Sequence, residues 1–312
     1  MSILVTGSVA VDYIMVFGGR FRDIILPDKI HMLNVAFHVP TLRRTYGGCA
    51  ANIAFCLRRL GGEPLVAATV GNDFGAYAGW LDEQGIRRDY IRELAEEATA
   101  GAYITTDLDD NQIIGFHPGA MDRAHEVRLE EIGEAFDFGI VSPNGKQAMI
   151  DYARGLKKRG VHTVIDPGQG LPLFDREELT ELLTDASTYI VNDYEWEMTQ
   201  KTTELSEDEI ASRVTTLIVT LGEKGARIRS GDETLEIPSV KADEVTDPTG
   251  CGDSFRAGYL FALEKGLPLE TAGRLGSVMG SFMVERAGTQ TIDADLSAIR
   301  ARYEKAFGTP PF

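Results

Sequence analysis

The sequence predicts an α/β fold built on a mostly parallel sheet, with a second, smaller sheet beside it. Three observations carry this. From Phe138 onward, short β-rich runs alternate with helical stretches, the pattern of strand–helix–strand units. Two glycine turns, Gly47-Gly48 and Gly250-Cys251-Gly252, each lead straight into a helix. Four extended segments between Val9 and Phe116 interrupt the α/β alternation and are read as the small sheet.

Taken in order, Ile3 to Ser8 reads as a buried strand ending in a turn, and Val9 to Phe17 as a second extended piece. Asp12 lies inside that apolar run. A carboxylate there must find a hydrogen-bond partner or face a cavity, unless it merely turns the chain. Leu33 to Thr45 reads as extended. The run Tyr46-Gly47-Gly48-Cys49-Ala50-Ala51-Asn52 opens a helix that closes on Gly61-Gly62. Small residues in its first turn leave room for a ligand, and Asn52 can both donate and accept there. Pro64 to Val70 gives a strand, and Asn72 to Gln84 a helix. Tyr103 to Thr106 and Gln112 to Phe116 form two strands about Asp109-Asp110-Asn111. The extended segments near 10–18, 33–45 and 99–117 are expected to make a lid that excludes water, a dimer interface, or both. Strands follow at 139–142, 161–166, 188–191 and 216–221, then a hairpin over Ala226 to Ile237 and helices to the end.

The chain has 312 residues, 43% apolar and 25% charged, and a net charge of −17. That length fits one large α/β core. The acidic balance opposes binding to a nucleic-acid backbone. No apolar run approaches membrane-spanning length, and Ser2 to Phe17 reads as strand, not as a signal peptide. Cys49, Cys56 and Cys251 lack C-x-x-C spacing, and the five histidines form no metal pair, so a reducing cytoplasm is expected.

Asp247-Pro248-Thr249-Gly250-Cys251-Gly252-Asp253 is the stretch with chemistry in it. It places glycines at the start of a helix, where free N–H groups and the dipole attract an anion. Asp253 is out of place in an anion site unless it caps the helix or takes a proton from a hydroxyl attacking a phosphate. Cys251 there is either a thiol with a lowered pKa or a small residue fitting the turn. Gly145-Lys146-Gln147 lacks the glycine and hydroxyl of a Walker loop, and neither glycine turn completes a dinucleotide fingerprint.

The chain resembles the ribokinase/PfkB family of carbohydrate and nucleoside kinases from end to end. Gly47-Gly48-Cys49-Ala50-Ala51-Asn52 and Asp247 to Asp253 match its two signatures, in order and roughly two hundred residues apart. Asn192-Asp193-Tyr194-Glu195 and Thr220-Leu221-Gly222-Glu223-Lys224-Gly225 match its N-x-x-E and T-x-G-x-x-G elements. Within the family it is most similar to bacterial, mycobacterial-type adenosine kinases, through Phe116-His117-Pro118-Gly119-Ala120-Met121, Phe255-Arg256-Ala257-Gly258 and Gly288-Thr289-Gln290.

The resemblance implies a single ribokinase-like domain over 1–312, a three-layer α/β/α fold with a small β-sheet lid. It implies an ATP-dependent kinase acting on the 5′-hydroxyl of adenosine, with a sugar or another nucleoside as the alternative. Asp253 would be the base, with Gly250, Cys251 and Gly252 forming the anion hole. Ser8, Asp12, Gly48 and Asn52 would bind ribose, and Phe116 the purine. Asn192, Glu195, Thr220, Gly222 and Gly225 would lie along ATP, with Glu195 acting on Mg²⁺ through water. K⁺ would sit near Asp247 and Thr249, and a homodimer would form through the lid. A serine and a stacking aromatic of the similar enzymes fall here on Ala36 and Ala102. Tyr103 is adjacent to the second, on the other face if the strand keeps its period.

Overall fold

The computed structural model of the protein describes residues 2–312. Its strands are β1 (Ser2–Thr6), β2 (Ala10–Val16), β3 (Thr41–Gly47), β4 (Glu63–Gly71), β5 (Tyr90–Leu94), β6 (Ala100–Thr106) and β7 (Gln112–His117). The second half adds β8 (Phe136–Val141), β9 (His162–Ile165), β10 (Thr188–Asn192), β11 (Thr216–Thr220), β12 (Ala226–Ser230) and β13 (Glu233–Ile237). Nine of them form one sheet in the order β13-β12-β11-β10-β9-β8-β1-β4-β5. It is parallel from β11 to β5, and β12 alone runs the other way, pairing antiparallel with both β11 and β13.

Alternation along the central strands explains the three layers. Ile3, Val5, Val164, Ile190 and Ile218 join the core beneath helices Cys49–Arg59, Cys251–Glu264 and Leu269–Met283. Their neighbours Leu4, Ile165, Tyr189, Val191 and Leu217 join the opposite core, beneath Lys146–Lys158, Arg176–Asp185 and Asp193–Thr203. Both faces of the sheet are therefore buried, which is why its strands read as nearly unbroken apolar runs.

The second sheet has the order β3-β2-β6-β7, as the extended segments required. The expected strand from Leu33 begins only at Thr41. Pro27–Met32 ahead of it forms a 3₁₀ helix with Pro27 at its first position, where proline's fixed φ is favourable. The helix expected from Asn72 begins at Gly75. Asn72 Nδ2 is engaged with the Ala95 carbonyl, and Asp73 Oδ1 accepts the Thr99 N–H, so these two residues hold a turn instead. Edge strand β5 was not foreseen: its sequence Tyr-Ile-Arg-Glu-Leu buries only Leu94. No helix among the described residues is long and apolar enough to cross a membrane.

Candidate active site

The carboxyl ends of β1, β8, β9, β10 and β11 point to one side of the large sheet, where ligands of open α/β sheets bind. The two glycine turns meet there. Gly250 is the N-cap of helix Cys251–Glu264, at φ 82°, with no side chain capping the helix. Asp253 is therefore not a cap; it sits one turn in, and its carboxylate turns toward the other glycine turn. Asn52 Nδ2 donates to Asp253 Oδ2 at 2.8 Å, across two hundred residues of sequence. Burial raises the Asp253 carboxyl from 3.8 to about 6, opposed by the Asn52 hydrogen bond and the charge of Arg256. The Cys251 N–H is engaged with the Pro248 carbonyl at 3.1 Å. That leaves the N–H groups of Gly252 and Asp253 without an acceptor among the described residues. Cys251 has no activated thiol: burial, with Asp247 and Asp253 nearby, pushes it up to about 11.

Arg256 lies under this loop, one helical turn beyond Gly252. A Cβ on Gly252 would stand 2.8 Å from Arg256 Nη1, so the glycine lets the guanidinium approach the backbone. Both Arg256 and Asp166 are buried, and they form an ion pair, with Nη2 donating to Asp166 Oδ1 at 2.7 Å. Burial pulls the guanidinium down, but Asp166, then Glu195 and Asp253, hold it above its ordinary value. A fixed positive charge thus lies beneath the anion loop of a chain whose net charge is −17.

The other turn is equally constrained. Gly48 has φ 91°, and a Cβ there would lie 2.6 Å from both Ala10 N and the Ser8 carbonyl. Ser8 Oγ accepts the Cys49 N–H at 3.0 Å, tying the end of β1 to the helix start. Asp12 is raised to about 6 by burial, and a Cβ on Gly47 would meet its Oδ2 at 2.8 Å. Across the small sheet, the register pairs Thr45 with Asp12, Asp12 with Ala102 and Ala102 with Phe116. Asp12 and Phe116 therefore share one face, with the small Ala102 between them. Tyr103 takes the opposite face and stacks on Tyr13 at 4.8 Å, so it does not replace the aromatic missing at Ala102. Ala36 is exposed in the irregular segment before β3.

At the far side, Asn192 and Glu195 cap one another. Asn192 Oδ1 accepts the Glu195 N–H and Glu195 Oε2 accepts the Asn192 N–H, each at 2.8 Å. Burial and the nearby Asp166 raise the Glu195 carboxyl. Thr220 Oγ1 donates to the Val191 carbonyl at 3.4 Å. Gly222, at φ 58°, has open space where a side chain would be, whereas a Cβ on Gly225 would meet the Ile237 carbonyl at 2.0 Å. Asp247 accepts the N–H groups of Thr249 at 2.9 Å and Gly288 at 3.0 Å. Burial pushes its carboxyl up, but these bonds outweigh it and hold the group below its ordinary value. Among the described residues no cluster of three or more His, Cys, Asp or Glu forms a metal cage.

The pfkB family carbohydrate kinase model matches residues 11–295, nearly the whole of this site-bearing frame. The chain belongs to the pfkB family. It is a phosphotransferase with an alcohol group as acceptor and ATP as co-substrate. A nucleoside kinase of Methanocaldococcus jannaschii is 35% identical over 283 residues, covering 89% of this chain and 92% of that one. The structure of Burkholderia thailandensis nucleoside kinase in complex with inosine superposes with a TM-score of 0.89 at 46% identity, over 99% of both chains. The same enzyme in complex with ADP-inosine gives 0.87 at 48% identity, over 99% of this chain and 97% of that one. As a member of the family, the chain carries residues that motif reading left without a role: Asp166, Arg256 and the side chains around Gln290. A buried ion pair between residues ninety positions apart leaves no local signal in a sequence.

Proposed function

We propose that this pfkB-family kinase phosphorylates the 5′-hydroxyl of a purine nucleoside from ATP. The observation that carries the reading is the half-buried Asp253 carboxylate, held by Asn52 beside the N–H groups of Gly252 and Asp253, which have no acceptor among the described residues. Ser8, Asp12, Gly48 and Asn52 line the acceptor side and hold ribose. Phe116 covers the base from the small sheet, which acts as a lid on a single domain over 1–312. Adenosine is the acceptor that the motifs favour. Inosine is the second reading, favoured by the inosine complex of the Burkholderia enzyme and by the space left at Ala102.

Asp253 takes the proton of the 5′-hydroxyl as its oxygen meets the γ-phosphorus. Phosphoryl transfer runs through a loose transition state, so positioning and charge stabilisation dominate and a weak base suffices. The N–H groups of Gly252 and Asp253, with the Arg256 charge beneath them, stabilise the transferring group. Gly222 and Thr220 lie along the nucleotide, and Gly225 shapes their turn. Asn192 and Glu195 would hold a Mg²⁺ through water, and the ion would supply charge neutralisation on the triphosphate. Asp247 and the Thr249 carbonyl would hold a K⁺, whose charge would fix the backbone of the anion loop.

A panel of adenosine, inosine, guanosine, ribose and fructose with ATP tests the acceptor. The expected result is turnover with purine nucleosides at kcat/KM at least about a hundredfold above either sugar, since unfilled polar contacts cost that much discrimination. Sugar turnover without nucleoside turnover would overturn the reading. Leu42, Ile113, Ile114 and Phe116 expose apolar surface on the small sheet, which supports a homodimer through the lid. Light scattering at micromolar concentration should return twice the chain mass; a monomer mass would remove that part of the account.

A further inference from the structure

Four side chains from three distant parts of the chain form one line of hydrogen bonds ending on Asp253. Trp80 Nε1 donates to Gln290 Oε1 at 2.8 Å. Gln290 Nε2 donates to Asn52 Oδ1 at 3.1 Å and to the Tyr77 hydroxyl at 2.6 Å. Tyr77 in turn donates to the Gly47 carbonyl at 2.7 Å, and Asn52 Nδ2 donates to Asp253. Tyr77, Gln290 and Asn52 are all buried.

The direction of every bond follows from chemistry. An indole N–H can only donate, so the Gln290 oxygen must face Trp80. A backbone carbonyl can only accept, so the Tyr77 proton goes to Gly47 and its oxygen must accept from Gln290. Both constraints turn the Gln290 amide the same way, with its NH₂ toward Asn52. The Asn52 oxygen must then face Gln290, which leaves its NH₂ for Asp253. With the Gln290 amide reversed, the Asn52 oxygen would be turned toward the Asp253 carboxylate and would repel it.

We propose that Gln290, oriented by Trp80 and Tyr77, is a positioning residue that fixes the amide of Asn52 so that it donates to the catalytic carboxylate. This rests on the reading of Asp253 as the base. Gln290 does not touch the reacting atoms; it sets which atom of Asn52 the base meets. The turn that bears it also contacts the other parts of the site. The Gly288 N–H donates to Asp247, and Thr289 Oγ1 donates to the Tyr46 carbonyl at the root of the small sheet at 2.9 Å.

A hydrogen bond to a charged group, once lost, shifts that group's titration by about one pH unit. With Gln290 gone the Asn52 amide is no longer fixed as a donor, so the ionised form of Asp253 loses support and its titration moves upward. In Gln290→Met, which keeps the volume and removes both amide functions, the acid limb of kcat against pH should move up by about one unit. Trp80→Phe removes only the donor that fixes Gln290 and should move the limb the same way by less; it carries the test if the first variant does not fold. Affinity for ADP, measured by titration calorimetry, should stay within about twofold in both, because neither residue lies on the nucleotide side. A merely structural role would lower melting temperature and leave the limb in place. Acid limbs that superimpose on the wild type in both variants overturn the proposal. If Asp253→Asn instead keeps wild-type turnover, it is the base assignment that falls.

Discussion

Asp253→Asn should lower kcat by at least about a hundredfold, the usual contribution of a positioned base, and leave ATP binding unchanged. The substitution keeps the shape and can still accept the Asn52 hydrogen bond, so the loss isolates proton removal. Its stability carries a second expectation with a definite sign. Burial pushes the folded carboxyl up to about 6, from an ordinary value of 3.8. Between those values the native state holds a proton that the unfolded chain has released, so this group's contribution to stability falls as pH rises. Above about pH 6 the ionised form is a standing cost of the site. The neutral Asn variant escapes it, and its melting temperature at pH 8 should equal or exceed that of the wild type. An inactive variant that is also less stable would mean that Asp253 holds the loop together instead of acting on the substrate.

Arg256→Met should be the most destabilising substitution in the site. It leaves Asp166 buried without its partner, and breaking one side of such a pair costs about 3–5 kcal/mol. A native domain has only about 5–15 kcal/mol in all, so urea unfolding should move to a visibly lower midpoint. The double variant Asp166→Leu with Arg256→Met removes both charges and should recover most of the loss, because the cost lies in the orphaned carboxylate and not in a missing attraction. Turnover should stay low in the double variant, since the positive charge beneath the Gly252 N–H is gone. Recovery of turnover together with stability would show that Arg256 serves only the fold.

The parts of this molecule that read clearly from sequence are those whose cause is local. The two glycine turns need backbone that only glycine adopts freely, as at Gly48 and Gly250, and they stand out beside the helices they start. The parallel strands announce themselves because both faces are buried. The small sheet was legible as extended segments, but its register was not. Only the pairing of Ala102 with Asp12 and Phe116 shows that Tyr103 points away from the face that bears those two residues. β5 was missed because an edge strand buries one side and keeps polar residues such as Arg92 and Glu93. Asp166 and Arg256, and Trp80 with Gln290, are joined across large separations in sequence. Their residue types are ordinary where they stand, and only the fold makes them partners.

The most direct test of the central claim is the product itself. Purified enzyme with ATP and inosine or adenosine should yield a nucleoside monophosphate whose proton-coupled phosphorus resonance is a triplet, split by the two protons of the 5′ carbon. That result places the acceptor hydroxyl where Asp253 can take its proton. A doublet, from phosphate on the 2′ or 3′ oxygen, or phosphate transferred only to a free sugar, would contradict it.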